Sequence, residues 1–168
     1  MLKRLCDIFG SLIGIVMLSP ALIVLALIIK FTSSGPILYR GIRAGRSGSA
    51  FKMYKFRTMV TNAEKIGGPS TSEDDPRITS IGHFLRKYKL DELPQLFNVL
   101  KGEMSFVGPR PEVVAEIEAA PEKYTKILSV VPGITDYASL RFPNEGEILK
   151  GAKDPHQAYK EKIQPEKM

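Results

Sequence analysis

Residues 8–29 read IFGSLIGIVMLSPALIVLALII, twenty-two residues without a charge, and this stretch decides which solvent the chain folds in. At about 1.5 Å per residue, a straight helix of that length extends roughly 33 Å, enough to span a bilayer core. Fourteen of the residues are Leu, Ile, Val or Phe, each favouring insertion by about 0.3–0.6 kcal/mol. The segment reads as a membrane helix. It is too long for a secretory signal, and no small-residue cleavage site follows it.

Ser19-Pro20 sits in the middle of the run. Pro20 has no N–H, and its ring crowds the carbonyl of Val16, so a kink is expected there. The Ser19 hydroxyl can donate to the carbonyl so freed, which lipid cannot do. Lys3 and Arg4 precede the run, and Lys30, Arg40, Arg43 and Arg46 follow it. Positive residues favour the cytoplasmic side. A re-entrant helix bent at Ser19-Pro20 would satisfy both flanks by entering and leaving through one leaflet. A single-pass span with a tolerated proline is the other reading of the same residues.

The membrane segment, residues 1–30, leaves 31–168, enough for one compact domain. The net charge of +6 is unevenly spread. Residues 1–60 hold nine Lys/Arg against one acid, Asp7, while the remainder holds fifteen against seventeen. Basic charge beside a membrane helix suits anionic lipid headgroups better than nucleic acid. The lone Cys6 excludes a disulfide framework or a cysteine-cluster metal site within the chain.

Residues 36–59 (PILYRGIRAGRSGSAFKMYKFRTM) suggest two strands around a Gly/Ser-rich turn at Gly45–Ser49. The polar stretch Asn62–Asp75 reads as a mobile loop of the kind that covers a site. Helical spacing marks Ser80–Tyr88 and about Asp91–Leu100, and Met104–Pro111 reads as a short strand entering a rigid turn. Glu112–Ala120 and Glu122–Val131 are expected as short helices separated by Pro121, Asp136–Phe142 as extended, and Ala158–Ile163 as weakly helical. The fold class is α/β, mixed and helix-rich: an N-terminal re-entrant membrane helix hairpin plus one compact cytoplasmic catalytic domain.

Chemistry points to Lys89-Leu90-Asp91-Glu92-Leu93-Pro94-Gln95. Neighbouring side chains on a helix project about 100° apart, so Asp91 can face a cleft while Glu92 orients from the side. A structural reading makes Asp91 an N-cap and Glu92 a solvated first-turn acid, with Pro94 in a first turn that tolerates it. Arg86, Lys87 and Lys89 lie upstream, Arg110 lies in the rigid Gly108-Pro109-Arg110-Pro111 turn, and Lys55 and Arg57 sit on an expected strand. Any one of these cations could be a solvated surface charge. Grouped around an acidic pair, they suit a diphosphate bridged by a divalent metal. His83 and His156 have no metal-ligand spacing; His156, beside Pro155, reads as an exposed turn residue.

The run Asp75-Pro76-Arg77-Ile78-Thr79, then Leu85-Arg86-Lys87, then LDELPQLFNVLKGEMSFVGPRPE from Leu90 to Glu112, resembles the bacterial sugar transferase family of small monotopic phosphoglycosyl transferases. Lys55-Phe56-Arg57-Thr58-Met59, Ser19-Pro20 and Val131-Pro132-Gly133-Ile134-Thr135 match further motifs of that family. The resemblance implies transfer of a sugar 1-phosphate from a UDP-sugar to polyprenol (undecaprenyl) phosphate at the cytoplasmic face of the bacterial inner membrane. The products would be UMP and polyprenol diphosphate-sugar, the first membrane step of glycoconjugate assembly. By motif position, Asp91 would be the nucleophile and the ligand of Mg²⁺, and Glu92 would orient groups or handle a proton. Arg110, with Lys55, Arg57 and Arg86, would line the anionic cleft, and Ser19 and Pro20 would form the break of the re-entrant helix.

Two departures stand out. Asp136–Phe142 replaces a Trp-containing segment of many relatives, and relatives usually continue past the equivalent of Met168, so a C-terminal truncation is expected. A catalytically silent membrane adaptor and an Asp-dependent phosphohydrolase are the rival function classes.

Overall fold

A computed structural model describes residues 2–68, 70–141 and 145–167. The apolar run lies within helix α1, Leu2–Thr32, which is a single helix of 31 residues with Pro20 inside it. Ser19 Oγ donates to the carbonyl of Val16 at 2.8 Å, the bond that the missing Pro20 N–H makes available. One face of α1 lies against the rest of the protein from end to end. Asp7, Ser11, Leu25 and Ile29 are buried on it, while Phe9, Ile13, Met17, Val24 and Phe31 are exposed on the other.

Strands β1, Leu38–Ala44, and β2, Ala50–Phe56, form an antiparallel hairpin. Its register runs from Leu38 opposite Phe56 to Ala44 opposite Ala50, around the expected Gly45–Ser49 turn. That turn needs positive φ at Ser47 (57°) and Gly48 (77°), which glycine adopts without steric cost. A one-turn helix α2, Ala63–Ile66, interrupts the polar stretch. Helix α3, Ser80–Lys87, begins at Thr79, whose side chain accepts from the Gly82 N–H; this is an N-cap of the preferred type.

The expected helix over Asp91–Leu100 is divided. Leu90–Glu92 is a separate 3₁₀ turn, and helix α4 spans Gln95–Lys101 with Pro94 as its N-cap residue. The physical reason is Pro94, which has no N–H for the helical ladder, although Leu93 before it keeps helical backbone angles. The acidic pair therefore stands a turn ahead of α4, not in its first turn.

Strand β3, Ser105–Val107, pairs in parallel with β4, Gly133–Thr135, which follows helices α5, Val114–Ala119, and α6, Pro121–Leu128. Pro121 opens α6 at its first turn, where a missing N–H is harmless. The stretch expected to be extended after Thr135 is instead helix α7, Tyr137–Arg141. Its Leu140 N–H donates to the carbonyl of Asp136, and Tyr137–Arg141 contains no β-branched residue to resist helix; Phe142 falls outside the described residues. Helices α8, Glu145–Ile148, α9, Pro155–Lys162, and α10, Gln164–Lys167, complete the chain. Asp154 caps α9 by accepting from the His156 and Gln157 N–H groups.

Two apolar clusters hold the elements. Leu25 and Ile29 of α1 pack with Phe56 of β2 and Leu85 of α3. Phe51 and Met53 of β2 pack with Val99 of α4 and Met104. The apolar helix thus contributes directly to the core that carries the hairpin. Buried Asn98 joins α4 to β2: its Oδ1 accepts from the Tyr54 N–H at 2.9 Å, and its Nδ2 donates to the Lys52 carbonyl at 2.8 Å.

Candidate active site

Lys89 turns the chain into the acidic pair with φ 56° and ψ 22°. For a residue with a Cβ this left-handed conformation costs roughly 1 kcal/mol or more, and it swings Leu90–Glu92 inward from the end of α3. Asp91 is buried, 8% exposed. Glu92 accepts from Lys55 Nζ at 2.7 Å, so strand β2 delivers a cation directly onto the pair.

Charge and burial act against each other here. Burial raises the Asp91 carboxyl above its ordinary range; Lys55 opposes that shift and the Glu92 charge adds to it. Burial would raise Glu92 as well, but Lys55 and Arg110 outweigh it and hold Glu92 low. Lys55 is pushed down by its own burial, against the pull of Glu92. Arg86, pushed down by burial, faces Asp91 and Asp75. The Arg110 guanidinium faces Glu92 and Glu145, and its backbone N–H donates to Asp136 Oδ2 at 3.1 Å.

Asp91, Glu92, Lys55, Arg86 and Arg110 share the wall of one open cavity of about 2040 Å³. Ile15, Ser19, Leu22 and Ala26 of α1 form another part of the same wall. One cavity therefore joins a cation-ringed acidic pair to the middle of the membrane helix. Such a cavity can take a phosphate-bearing group that is soluble and one that is held in lipid. The polar stretch lines it through Gly67, Gly68 and Ser70. Arg77 holds part of that stretch by donating to the Ala63 and Gly68 carbonyls while paired with Asp75 at 2.7 Å.

Arg57 also borders the cavity, but its guanidinium is spent on the end of α1, donating to the carbonyls of Ser33 and Ser34. At the opposite end of α1, Asp7 Oδ1 accepts from Ser105 Oγ at 3.0 Å and the Phe106 N–H at 3.2 Å. Arg4 donates there to the Val99 and Leu100 carbonyls that end α4. The signal for Asp7 was present in the sequence, since it is the one acid among the first sixty residues. His156 is not an exposed turn residue. It is half-buried in the first turn of α9, with Nδ1 3.0 Å from Ser70 Oγ, because Asp154 caps the helix one residue before Pro155.

The fold thus joins one helix long and apolar enough to cross a membrane to a cavity lined by an acidic pair and several cations. The model of the family described as bacterial sugar transferase matches residues 1–163, and the chain belongs to that family. A Bacillus subtilis (strain 168) protein provisionally named undecaprenyl-phosphate N-acetylgalactosaminyl 1-phosphate transferase is 41% identical over 151 residues, covering 87% of this chain and 80% of that protein. The exopolysaccharide production protein PSS of Rhizobium leguminosarum bv. phaseoli is 44% identical over 148 residues, covering 83% of this chain and 74% of that one. The UDP-glucose:undecaprenyl-phosphate glucose-1-phosphate transferase of Escherichia coli (strain K12) is 43% identical over 144 residues, covering 83% of this chain but 31% of its own length.

Proposed function

We propose that the protein moves a sugar 1-phosphate from a UDP-sugar to polyprenol phosphate at the cytoplasmic face of a bacterial plasma membrane, through a covalent phosphosugar on Asp91. The observation that carries the reading is the shared cavity, with the acidic pair and Lys55, Arg86 and Arg110 on one wall and α1 around Ser19 on another. Relatives named for such transfers differ in their sugar, N-acetylgalactosamine in one and glucose in another. The class of reaction is therefore proposed without a particular sugar.

In the first half-reaction an Asp91 carboxylate oxygen attacks the sugar-bearing phosphorus. The bond from that phosphorus to the bridging oxygen breaks, and UMP leaves with the electron pair. In the second, an oxygen of the lipid phosphate attacks the same phosphorus. The bond to Asp91 breaks, giving polyprenol diphosphate-sugar and restoring the carboxylate. A carboxylate is a weak nucleophile, and burial strips it of water that would otherwise blunt it further. Lys55 and Arg86 oppose the rise that burial imposes on the Asp91 carboxyl, while Arg86 and Arg110 offset the charge of the phosphates. Glu92 fixes Lys55 in place.

Mg²⁺ fits this donor set. Among the described residues no group of three or more His, Cys, Asp or Glu forms a protein cage. Mg²⁺ is instead characteristically held by one or two carboxylates together with substrate phosphate oxygens. Asp91, with Glu92 beside it, would hold the ion, which supplies charge neutralisation to a diphosphate when bound.

Both ends of α1 are hydrogen-bonded to the same domain, Lys3 and Arg4 to Val107, Val99 and Leu100, and Ser33 and Ser34 to Arg57. This supports a re-entrant, monotopic seat, because a helix crossing to the far leaflet would carry one of those ends away from the domain. A membrane-impermeant thiol reagent should reach Cys6 and a Thr32→Cys substitution only from the cytoplasmic side. Labelling of either from outside would overturn this seat.

The activity is tested by UMP release from a panel of UDP-sugars with Mg²⁺, with and without polyprenol phosphate. Acceptor-dependent turnover that vanishes in Asp91→Asn is expected. Equal release by native protein and variant would remove Asp91 as nucleophile, and continuous release without acceptor would identify a phosphohydrolase instead.

A further inference from the structure

The two cations of Lys55-Phe56-Arg57 are sent to different tasks. Lys55 meets Glu92 at 2.7 Å. Arg57, 6% exposed, turns toward the chain leaving α1. Its Nη1 donates to the Ser34 carbonyl, and its Nη2 donates to the carbonyl of Ser33 at 3.0 Å and to Ser33 Oγ at 2.9 Å. Its own N–H donates to the Ile37 carbonyl at 2.9 Å. The turn is close-packed against Thr61 and the guanidinium: Gly35 has φ +119°, and a Cβ added there would collide with the Thr61 methyl and stand 3.0 Å from Nη1. Arg57 Nε is buried without a hydrogen-bond partner, so no part of the fork is turned outward.

We infer that Arg57 is a positioning residue for the lipid acceptor, fastening the exit of the membrane helix to the strand that bears Lys55; the inference rests on the transferase reading above. Ser33 and Ser34 follow Thr32, the last residue of α1, and lipid would offer the carbonyls of such a chain exit no partner. The Arg57 guanidinium satisfies both at once and lies just beyond the negative end of the helix dipole. Arg57 follows Lys55 by two residues, about 7 Å of extended chain. The bond to Ser33 and Ser34 therefore sets how far the end of α1, and with it the headgroup plane, stands from Asp91 and Glu92. A soluble donor diffuses to the acidic pair wherever that plane lies. A lipid phosphate reaches only as far as the membrane holds it, and a misplacement of about 1 Å can cost up to about 10²-fold in rate.

The test uses the full chain in lipid nanodiscs, with Arg57→Gln and Ser33→Ala beside native protein. Three quantities are read: UMP released in a single turnover from UDP-sugar alone, steady-state turnover against long-chain polyprenol phosphate, and the bilayer depth of a spin label at Phe31→Cys in a Cys6→Ser background. Donor-only release should stay within about twofold of native, while kcat/KM for the acceptor falls about tenfold or more in Arg57→Gln, with a smaller fall in Ser33→Ala. The label should change depth in both. Loss of donor-only release with the label unmoved would make Arg57 a substrate ligand and overturn the inference. Unchanged acceptor kinetics with unchanged depth would overturn it equally. If Arg57→Gln does not fold, Ser33→Ala, which removes one hydroxyl that accepts from Arg57 and donates to the Ile29 carbonyl, carries the same comparison. Native protein that releases no UMP would instead refute the transferase reading, and label depth would still report whether Arg57 fastens the helix.

Discussion

Replacing Asp91 by Asn should abolish turnover and at the same time make the protein more stable near neutral pH. Asp91 is 8% exposed, and its ionised form is opposed first by burial and then by the neighbouring Glu92 charge, with Lys55 and Arg86 pulling the other way. Among the charges Lys55 acts most strongly, and Arg86 joins it against the Glu92 repulsion. Against both cations stands the burial cost, and the net upward shift of the carboxyl shows that this cost prevails. Asn keeps the shape and removes the charge. Relieving a functional site in this way commonly adds about 0.5–2 kcal/mol, and in a protein of this size 1 kcal/mol moves Tm by roughly 2–4 °C.

The pH dependence distinguishes this account from a packing effect. A carboxyl raised on folding binds more protons in the native state between 3.8, its ordinary value, and its folded value. Native stability therefore falls as pH rises through that window, and the penalty is complete above it. The advantage of Asp91→Asn should grow as pH rises from 3.8 through the folded value and vanish below 3.8. Thermal unfolding in detergent from pH 3 to 8, with chelator present, reads both quantities. Turnover should fall by about 10³-fold or more if Asp91 is the nucleophile. A lower Tm for Asp91→Asn at pH 7, or a gain that persists at pH 3, would refute the burial argument whatever happened to activity.

Lys55→Met should destabilise the protein by about 2–3 kcal/mol. This is less than the roughly 3–5 kcal/mol for breaking a fully buried pair, because the Lys55 and Glu92 side chains are 17% and 20% exposed. Lys55 and Arg110 hold Glu92 below its ordinary 4.5, a contribution present above 4.5 and lost as pH falls through the folded value. The variant should therefore start acid unfolding at higher pH, and an unmoved acid transition would contradict the pairing. Asn98→Ala leaves the Tyr54 N–H and the Lys52 carbonyl without partners at a position that is 0% exposed. A cost of about 2–4 kcal/mol is expected, seen as a Tm roughly 4–16 °C lower. A fall of less than 2 °C would show that water replaces both bonds.

What the sequence made legible were the features whose cause is local. The hairpin around Gly45–Ser49 follows from its glycines and serines, the apolar helix from composition, and the Ser19 hydroxyl bond from a single proline. The acidic pair was legible as chemistry but not as geometry: one missing N–H at Pro94 divides the expected helix and sets Asp91 in a turn of its own. The reach of a long side chain was not legible at all. Lys55 and Arg57 are two residues apart on the same hairpin arm and look alike in sequence, yet one meets Glu92 and the other meets Ser33 and Ser34. Nothing in their spacing separates those ends, because the partners lie 37 and 24 residues away. Asp7 and Arg4 repeat the pattern at the other end of the helix, across gaps of 98 and 95 residues. A charge beside an apolar run is usually read as a flank that faces lipid headgroups. Here Arg4, Asp7 and Arg57 face protein instead: Arg57 ties one end of the apolar helix to the arm that carries Lys55, and Arg4 and Asp7 tie the other to α4 and β3, the elements that follow Asp91 and precede Arg110. On the proposed reaction one set of contacts would fix both the seat of the helix and the geometry of the acidic pair, so a substitution at either end of the helix should change turnover.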